Sequence, residues 1–584
     1  MKTPHTGRPH GEPSPHLPEP SARPAGEPGL NRRSFLAWTG ALGASLGLPY
    51  APAAAGAAGG ATVLRDREAA SRFLAQCTFG GDLDLIDEVA RTGPEDWLDD
   101  QLASPYSSAL AEVNLLLEEL GPEDSFRYFD WVWWDRALTA PDAVRHRVAF
   151  ALSEIFVISR NLDELFDISL AVASFHDIFL RHAFGRFRDL LLEVALHPAM
   201  GLYLSHLNNR RSDPSANRFP DENFAREVMQ LFSIGLFELN PDGSEILDGQ
   251  GEPVATYGNA EITEMAKIFT GLTAAPEDPD EPLIFGASEN FVDPMVMYEP
   301  EHEPGAKTLL NGFVVPAGQT GLEDIEMAID HLVAHPNTGP FIGRQLIQRL
   351  VTSNPSGAYV SRVAAAFADN GSGVRGDLGA VLRAVLLDPE ARDPSRIDDP
   401  TFGKVREPII RWIQLGRAFR ATSASGQFRH YGGPVFLGEE DNGELTPMAQ
   451  YPYFAPSVFN FFSPTPQPAG ALSDAGLVAP ELEIIHSFTA MSTINHFDRA
   501  IRGGFYLSDD GAEVSLDLSD EVDLAAVDPV ALVDRIDLLL TYGTLSEATR
   551  QILFDAILPL SGAAEQVQMA LYLVSLCPEY AVQR

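Results

Sequence analysis

Apolar side chains recur at every third or fourth position along most of the chain from Glu68 onward. This spacing places them on one face of an α-helix, whereas the alternation typical of a half-buried β-strand is scarce. The pattern predicts a mainly α fold, a large multi-helix globular domain over residues 66–584. Whether that domain divides into two lobes near residues 390–480 stays open.

One segment departs from the helical pattern. Residues 236–257 carry two turn signals, Pro241-Asp242-Gly243 and Leu247-Asp248-Gly249, between short extended runs. Turns of this kind join antiparallel strands. We therefore predict a small β-hairpin insertion near residues 236–257.

The first sixty residues carry a targeting pattern. Residues 1–30 are rich in Pro, His and Gly, which predicts a disordered extension. Residues 31–60 resemble a twin-arginine signal peptide with its cleavage region, in which Arg32 and Arg33 are the arginine pair. The apolar run after this pair is too short for a permanent membrane span. We expect a soluble mature protein, exported to the periplasm or outside the cell; an uncleaved anchor is the alternative.

The charge of the chain is strongly acidic. Its 584 residues include 41 basic and 82 acidic side chains, for a net charge of −41. Such a surface repels nucleic acid, so we exclude a nucleic-acid partner. Lysine occurs only at positions 2, 267, 307 and 404. An amine loses its proton far more readily than a guanidinium, so each retained lysine is a candidate for a specific role.

The segment from Asp221 to Gly235 predicts one helix with a sorted polar face. Glu222, Asn223, Arg226 and Glu227 share that face. We treat Glu227 as a catalytic candidate and the other three as binding candidates. The alternative is a helix face that simply contacts solvent.

A second polar cluster lies in the loop Glu299–Lys307. His302 is a candidate metal ligand or general base, and Lys307 is a candidate for holding an anion or a carboxylate. A divalent metal is left open as a cofactor, and a charged surface turn is the alternative. If both clusters serve one site, His302 and Lys307 should converge on Glu227.

Other histidines and aromatic residues are interpreted as structural. His197-Pro198 and His335-Pro336 each follow a predicted helix, so we interpret both histidines as C-terminal caps. The aromatic stretch 451–464 is broken by prolines, which favours aromatic staples on the core over a ligand platform. Cys77 and Cys577 leave open one disulfide between the two ends of the domain.

Several blocks occur in the order found in one bacterial family. They are Cys77–Gly80, Arg145–Ser153, Phe187–Met200, Glu222–Gly235, His302–Lys307, Ala455–Phe462 and Cys577–Tyr580. The chain resembles the family known as domain of unknown function 1800 from about residue 68 to its end. The resemblance implies an exported helical protein. It also implies a frequent genomic neighbour, the exported, sulfatase-like domain of unknown function 1501. It implies no established reaction.

Two functions remain open at this point. The first is an exported hydrolase-like enzyme, in which Glu227 and His302 supply acid–base chemistry or metal ligation while Lys307 and Arg226 orient an anion. The second is a non-catalytic binding or assembly partner of the neighbouring sulfatase-like protein. In that case the polar blocks are ion-pair networks that hold helices together.

Overall fold

A computed structural model describes residues 60–123, 125–426, 428, 431, 448–508 and 511–584, without the side chains of residues 60–65 and 505–512. The predicted extension 1–30 lies outside this range. So does the predicted export signal up to residue 59, including Arg32 and Arg33.

Helices dominate, and the described residues contain twenty-five α-helices, which confirms the predicted mainly α fold. The first twelve are α1 (Gly60–Cys77), α2 (Leu83–Thr92), α3 (Pro94–Ala103), α4 (Ala109–Leu120), α5 (Tyr128–Thr139), α6 (Ala143–Ser153), α7 (Asp163–Phe166), α8 (Ser169–His182), α9 (Phe187–Leu196), α10 (Pro198–Tyr203), α11 (Asn223–Gln230) and α12 (Asn259–Ile268). The other thirteen are α13 (Gly321–Ala334), α14 (Thr338–Leu350), α15 (Gly357–Ala368), α16 (Leu378–Leu386), α17 (Pro389–Arg392), α18 (Pro408–Ala418), α19 (Ala471–Asp474), α20 (Ser487–Gly503), α21 (Ser519–Val527), α22 (Pro529–Ile536), α23 (Glu547–Ile557), α24 (Ala563–Leu576) and α25 (Pro578–Ala581).

The strands are short and pair antiparallel. They are β1 (Leu272–Thr273), β2 (Val296–Met297), β3 (Lys307–Thr308), β4 (Val314–Val315), β5 (Lys404–Val405), β6 (Thr422–Ser423), β7 (Phe505–Ser508), β8 (Gly511–Ser515) and β9 (Val582–Gln583). β1 pairs with β2, β3 with β4 and β5 with β9, and β8 lies between β6 and β7. The β5–β9 pair sets Lys404 opposite Gln583 and so joins the end of the chain to its middle.

The predicted hairpin insertion is a three-segment antiparallel ladder. Isolated bridges join Phe237 to Ala255, Leu239 to Glu245 and Leu247 to Pro253. The two predicted turn regions separate three segments instead of two, and each segment forms an antiparallel bridge with both of the others.

The core is built around two helices that are buried on nearly every side. All ten residues from Ala143 to Leu152 of α6 are buried, and so are eleven of the fourteen residues of α8. A helix that is covered all round lies inside a domain instead of on its surface. Each aliphatic side chain buried there contributes roughly 1.5–3 kcal/mol to folding.

Two predicted helices are longer than the observed ones. The pattern predicts a helix from Asp142 to Ser159, but α6 ends at Ser153. After it, the hydroxyl of Ser159 donates to the carbonyl of Ala455 (2.6 Å), so polar groups there bond to a distant segment. The predicted Asp221–Ile234 helix ends at Gln230 because the next turn widens, and the N–H of Ile234 donates to the carbonyl of Met229 (3.0 Å).

No helix among the described residues is both long enough and apolar enough to cross a membrane. Cys77 and Cys577 are both free, buried thiols, so the disulfide left open by the sequence does not form in this structure. Burial raises the pKa of each thiol to about 12, which keeps both protonated and unreactive.

Candidate functional site

The polar face of α11 is half-exposed at its start. Glu222 and Arg226 face each other at 3.8 Å with side chains 42% and 43% exposed. Surface ion pairs of this kind contribute little to stability. Glu222 also accepts a hydrogen bond from the hydroxyl of Thr263 on α12 (2.9 Å). Asn223 is exposed, and its N–H donates to the carboxylate of Asp221 (2.8 Å), which fixes the first turn of α11.

Glu227 points inward from the same helix. It is only 5% exposed, and its Oε2 is buried with no hydrogen-bond partner among the described residues. Burial raises the pKa of this carboxyl, and the nearby charge of Arg226 offsets part of that rise. A buried carboxylate without a partner is costly, so the group favours its protonated form.

Two tyrosines stand beside Glu227. Burial, and then the negative charge of Glu227, raise the pKa of Tyr203 and of Tyr257 to about 12. The hydroxyl of Tyr257 is buried and, like Oε2 of Glu227, has no partner in the described part of the chain. We call these three side chains together the Glu227 recess. Two of its buried hydrogen-bonding atoms are left without a partner in the described part of the chain.

His302 and Lys307 do come together, but around a third residue. Nδ1 of His302 lies 2.8 Å from the carbonyl of Thr270, which can only accept, so Nδ1 carries a proton. Nε2 of His302 lies 3.0 Å from the carboxylate of Asp324 and 3.1 Å from Nζ of Lys307. Lys307 also donates to Asp324 and to the carbonyl of Glu303. We call His302, Lys307 and Asp324 the His302 centre.

Every polar group of the His302 centre is satisfied and hidden. His302, Lys307 and Asp324 are 3%, 1% and 1% exposed. Burial alone would raise the pKa of Asp324, but hydrogen bonds from His302, Lys307 and Gln319 hold it below its ordinary value. Both ring nitrogens of His302 are engaged, so the ring has no nitrogen left for a metal or a substrate proton. Lys307 holds a carboxylate, one of the two roles considered for it.

Two glycines allow this close packing. A Cβ on Gly321 would lie 2.5 Å from Cε of Met297 and 3.0 Å from Cγ of His302. Gly271 has φ +87°, and a Cβ there would lie 2.9 Å from the backbone nitrogen of His302. Any side chain at either position displaces the His302 loop.

Helix α12 contacts both the polar face of α11 and strand β3, which begins at Lys307. Its Thr263 bonds to Glu222, and its Glu264 accepts the N–H of Thr308 in β3 (3.1 Å). Within the described residues, no hydrogen bond or ion pair links Glu227 to His302 or Lys307. The convergence of the two clusters on one shared site therefore stays a prediction without a contact to support it.

The sequence reasoning missed Asp324, which completes the His302 centre. Asp324 lies in the first turn of α13, where acidic residues are common because they suit the helix dipole. That position gives no sign of a buried partner. The only available signal was the rarity of lysine, which singled out Lys307 but not the residue that Lys307 binds.

A third polar centre was also missed, although Lys404 is another of the four lysines. It combines three acids with three bases: Glu154, Glu407, Glu481, Arg147, Arg349 and Lys404, all buried. Nη1 of Arg349 lies 2.9 Å from Glu154, and Nζ of Lys404 lies 3.3 Å from Glu407 and 3.1 Å from Glu481. Burial, then the charge of Glu407, raise the pKa of Glu154 to about 8.

The aromatic stretch covers this third centre. Gln450 donates to Glu407 (2.6 Å) and Glu154 (3.3 Å), and Asn460 donates to Glu154 (3.3 Å). Tyr453 is buried against Phe129 at 5.3 Å between ring centroids. The stretch therefore packs Tyr451, Tyr453 and Phe462 into the core and leaves Phe459 exposed. Its Asn460, together with the preceding Gln450, bonds to the buried carboxyl groups.

His197 and His335 stand at the C-cap positions of α9 and α13, as predicted, but the chemistry expected of them requires a correction. Nδ1 of His197 accepts the N–H of Ala199 (3.1 Å) and so caps the start of α10 as an acceptor. Nδ1 of His335 likewise accepts the N–H of Asn337 (3.2 Å). Burial lowers their pKa to about 3 and about 4, so both rings are neutral and place no cation on a helix end.

The position of the ring proton on His197 excludes Ser174 as a nucleophile. The hydroxyl of Ser174 lies 2.9 Å from Nε2 of His197, the spacing of a nucleophile and its base. Because Nδ1 accepts a hydrogen bond, Nε2 carries the ring proton and donates to Ser174. His197 therefore cannot take the proton of that hydroxyl.

Metal ligation was considered for His302. Among the described residues, no group of three or more His, Cys, Asp or Glu side chains is placed to hold a metal ion.

Comparison with known families gives one match. The family described as "Protein of unknown function (DUF1800)" matches residues 72–582, which is most of the chain. No curated protein matches the chain, and no solved structure matches it.

Proposed function

Because the chain belongs to the DUF1800 family of proteins of unknown function, we propose a function from its own geometry: an exported hydrolase-like enzyme with Glu227 as its acid–base group. The observation that carries the proposal is the pair of buried atoms without partners, Oε2 of Glu227 and the hydroxyl of Tyr257. Buried polar groups in folded proteins are nearly always bonded, so such a pair calls for a partner such as a substrate oxygen or a water.

The chemistry of the Glu227 recess suits hydrolysis. A carboxyl with a raised pKa holds its proton more readily than an ordinary glutamate, and in its protonated form it donates that proton to a leaving oxygen as the bond to that oxygen breaks. An attacking water then returns a proton to the carboxylate, which restores the group. The Tyr257 hydroxyl donates a hydrogen bond to the substrate, and Arg226, at the exposed edge, orients an anionic substrate.

In this proposal His302 and Lys307 are positioning residues. Their bonds to Asp324 fix the loop 299–307 against α13. Glu222 and Asn223, at the exposed end of α11, are left as contacts for the bound substrate.

The export route through Arg32 and Arg33 is part of the proposal and predicts that replacing both arginines with lysine retains the protein in the cytoplasm.

The test is whether the purified mature protein hydrolyses chromogenic carboxylate, phosphate and sulfate esters and chromogenic glycosides. We expect Glu227→Gln to lower kcat/KM by at least about 100-fold, the usual range for a lost acid–base group. Glu118→Gln, at an exposed glutamate of α4 outside the proposed site, is the matched control and should keep the rate within about twofold. Equal rates for the wild type and Glu227→Gln would remove Glu227 from the mechanism.

A second function, binding the exported sulfatase-like neighbour, is favoured by one observation. Leu236, Phe237, Ile246 and Leu247 of the 236–257 insertion are all exposed, Leu247 to 56%. Clustered exposed apolar side chains are typical of interaction surfaces. If this surface binds the neighbour, Leu247→Asp abolishes co-purification, while Leu115→Asp, at another exposed leucine, leaves it unchanged.

A further inference from the structure

Arg392, at the end of α17, has a guanidinium without an acidic partner. Its Nε and Nη2 are both buried and have no hydrogen-bond partner among the described residues. The guanidinium lies over the ring of Phe73, 5.1 Å from its centroid. In a chain with twice as many acidic as basic residues, a buried guanidinium with no described aspartate or glutamate in ion-pair contact needs a physical explanation.

The two unpaired atoms of Arg392 form one recognition edge. Nε–H and Nη2–H point in the same direction and match two oxygens of a single oxyanion. Contact with Phe73 occupies the face of the guanidinium and leaves this edge available. Arg392 as a whole is partly exposed, while the two atoms of this edge are themselves buried.

A second guanidinium faces the same place. Arg72 on α1 uses Nε and Nη1 for the main-chain oxygens of Arg584 (2.7 Å) and Asp393 (3.4 Å), and its Nη2 is buried without a partner. After burial, the positive charge of Arg72 is the next cause that lowers the pKa of Arg392, to about 10. Because Nη1 of Arg72 reaches the carbonyl of Asp393, the residue that follows Arg392, the two like charges lie near each other.

Gln76 adds a third unpaired group. It is 0% exposed, and neither its Nε2 nor its Oε1 has a partner in the described part of the chain. It follows Arg72 by four residues on α1, so the two side chains are neighbours on one helix face. It also follows Phe73 by three residues, so it lies on the same helix face as the ring that Arg392 contacts.

No described aspartate or glutamate side chain is in ion-pair contact with Arg392. The carboxylate of Asp393 accepts a hydrogen bond from the N–H of Ser395, and its charge acts on Arg72 from nearby. The carboxylate of Glu390 is engaged by Ser356, the thiol of Cys77 stays protonated, and the hydroxyl of Tyr359 donates to the carbonyl of Val385. Arg392 is therefore left without a countercharge in contact among the described residues.

We propose that Arg72, Gln76 and Arg392 form a binding site for one tetrahedral oxyanion, a phosphate or sulfate group that is either free or part of a monoester. Four N–H donors then acquire an acceptor, and one ligand neutralises two guanidiniums. The donors come from α1 and α17, so the ligand also ties the start of the domain to its middle. This site is independent of Glu227 and of the hydrolase proposal.

The test uses the full mature protein at constant ionic strength, with chloride exchanged for inorganic sulfate or phosphate. We expect a saturable rise in Tm and a Kd below about 1 mM by calorimetry, because an anion that binds only the folded state stabilises it. Arg392→Lys removes the two-pronged edge but keeps the charge, and should weaken binding at least tenfold. Arg396→Lys is the matched control, since Arg396 is already paired with Asp399 (2.6 Å), and should bind like the wild type.

A second variant and a second class of ligand complete the test. Gln76→Leu should weaken binding as well, and it replaces Arg392→Lys if that variant does not fold. Binding of 4-nitrophenyl sulfate or phosphate as tightly as the free ion identifies a monoester site, and binding of inorganic ions alone identifies a free-ion site. Absence of a saturable Tm rise, or equal Kd values for the wild type and both variants, overturns the proposal.

Discussion

The Glu227 recess and the His302 centre are built from similar residues but in opposite ways. In the His302 centre, Asp324, His302 and Lys307 satisfy one another and are sealed from solvent. In the recess, Glu227 and Tyr257 each keep a buried polar atom without a partner. A satisfied buried network rigidifies a fold, whereas unsatisfied groups at a surface-facing helix are what a ligand can complete. The difference favours a structural role for the His302 centre, and it is the reason for proposing chemistry at the Glu227 recess.

The largest expected effect is at Asp324. Asp324→Ala leaves Lys307 buried without a countercharge, so we expect a loss of about 3–5 kcal/mol in the free energy of unfolding. Urea denaturation measures it, with Glu222→Ala as the surface control at below about 1 kcal/mol. A loss at Asp324 no greater than that of the control would mean that the His302 centre is not a stabilising network.

The pH dependence of the same site has a definite sign. The folded pKa of Asp324 lies below its unfolded value, so its contribution to stability is present above the unfolded pKa, about 3.9. That contribution is lost as the pH falls through the folded value. Asp324→Ala should therefore remove part of the acid sensitivity of the wild type between about pH 4 and the folded pKa.

The third centre extends the comparison to a carboxyl that holds its proton. The folded pKa of Glu154 is about 8, above its ordinary 4.5, so the folded state binds a proton that the unfolded state releases. Its contribution to stability is fully present below about pH 4.5 and is lost as the pH rises through about 8, by at most about 1.4 kcal/mol per pH unit. Denaturation of Glu154→Gln from pH 5 to 9 should show a flatter profile than the wild type. An unchanged slope would contradict a proton on Glu154.

The close packing at the His302 centre predicts a smaller effect. Gly321→Ala places a methyl group 2.5 Å from Cε of Met297, so we expect a loss of about 1–3 kcal/mol from overpacking. Gly305→Ala is the matched control, because a Cβ there meets no atom within 4 Å, and it should change stability by less than about 0.5 kcal/mol. Equal effects would show that the loop is free to move away from α13.

The sequence pattern predicts the helical fold because apolar periodicity reports which face of each helix is buried. It overestimates α6 because a local pattern does not reveal that Ser159 bonds to Ala455, a residue distant in the chain. Lysine rarity pointed to Lys307, yet Asp324 was missed because a carboxylate in a first helical turn has the same local sequence whether it is buried or exposed. Tertiary partners of charged side chains are the information that one sequence lacks.

The smallest expected effect, at Glu227, separates the two functions most sharply. Burial raises the pKa of Glu227, so its ionised form destabilises the fold, and Glu227→Gln should stabilise the protein at pH 7.5 within the roughly 0.5–2 kcal/mol range of single stabilising substitutions. The gain should shrink as the pH falls toward 4, because the wild-type carboxyl then becomes protonated, and urea denaturation at several pH values measures it. When a catalytic side chain destabilises the fold, replacing it raises the stability of the protein and lowers its activity. A Glu227→Gln variant that is less stable than the wild type at every pH would instead assign Glu227 to the same structural class as Asp324.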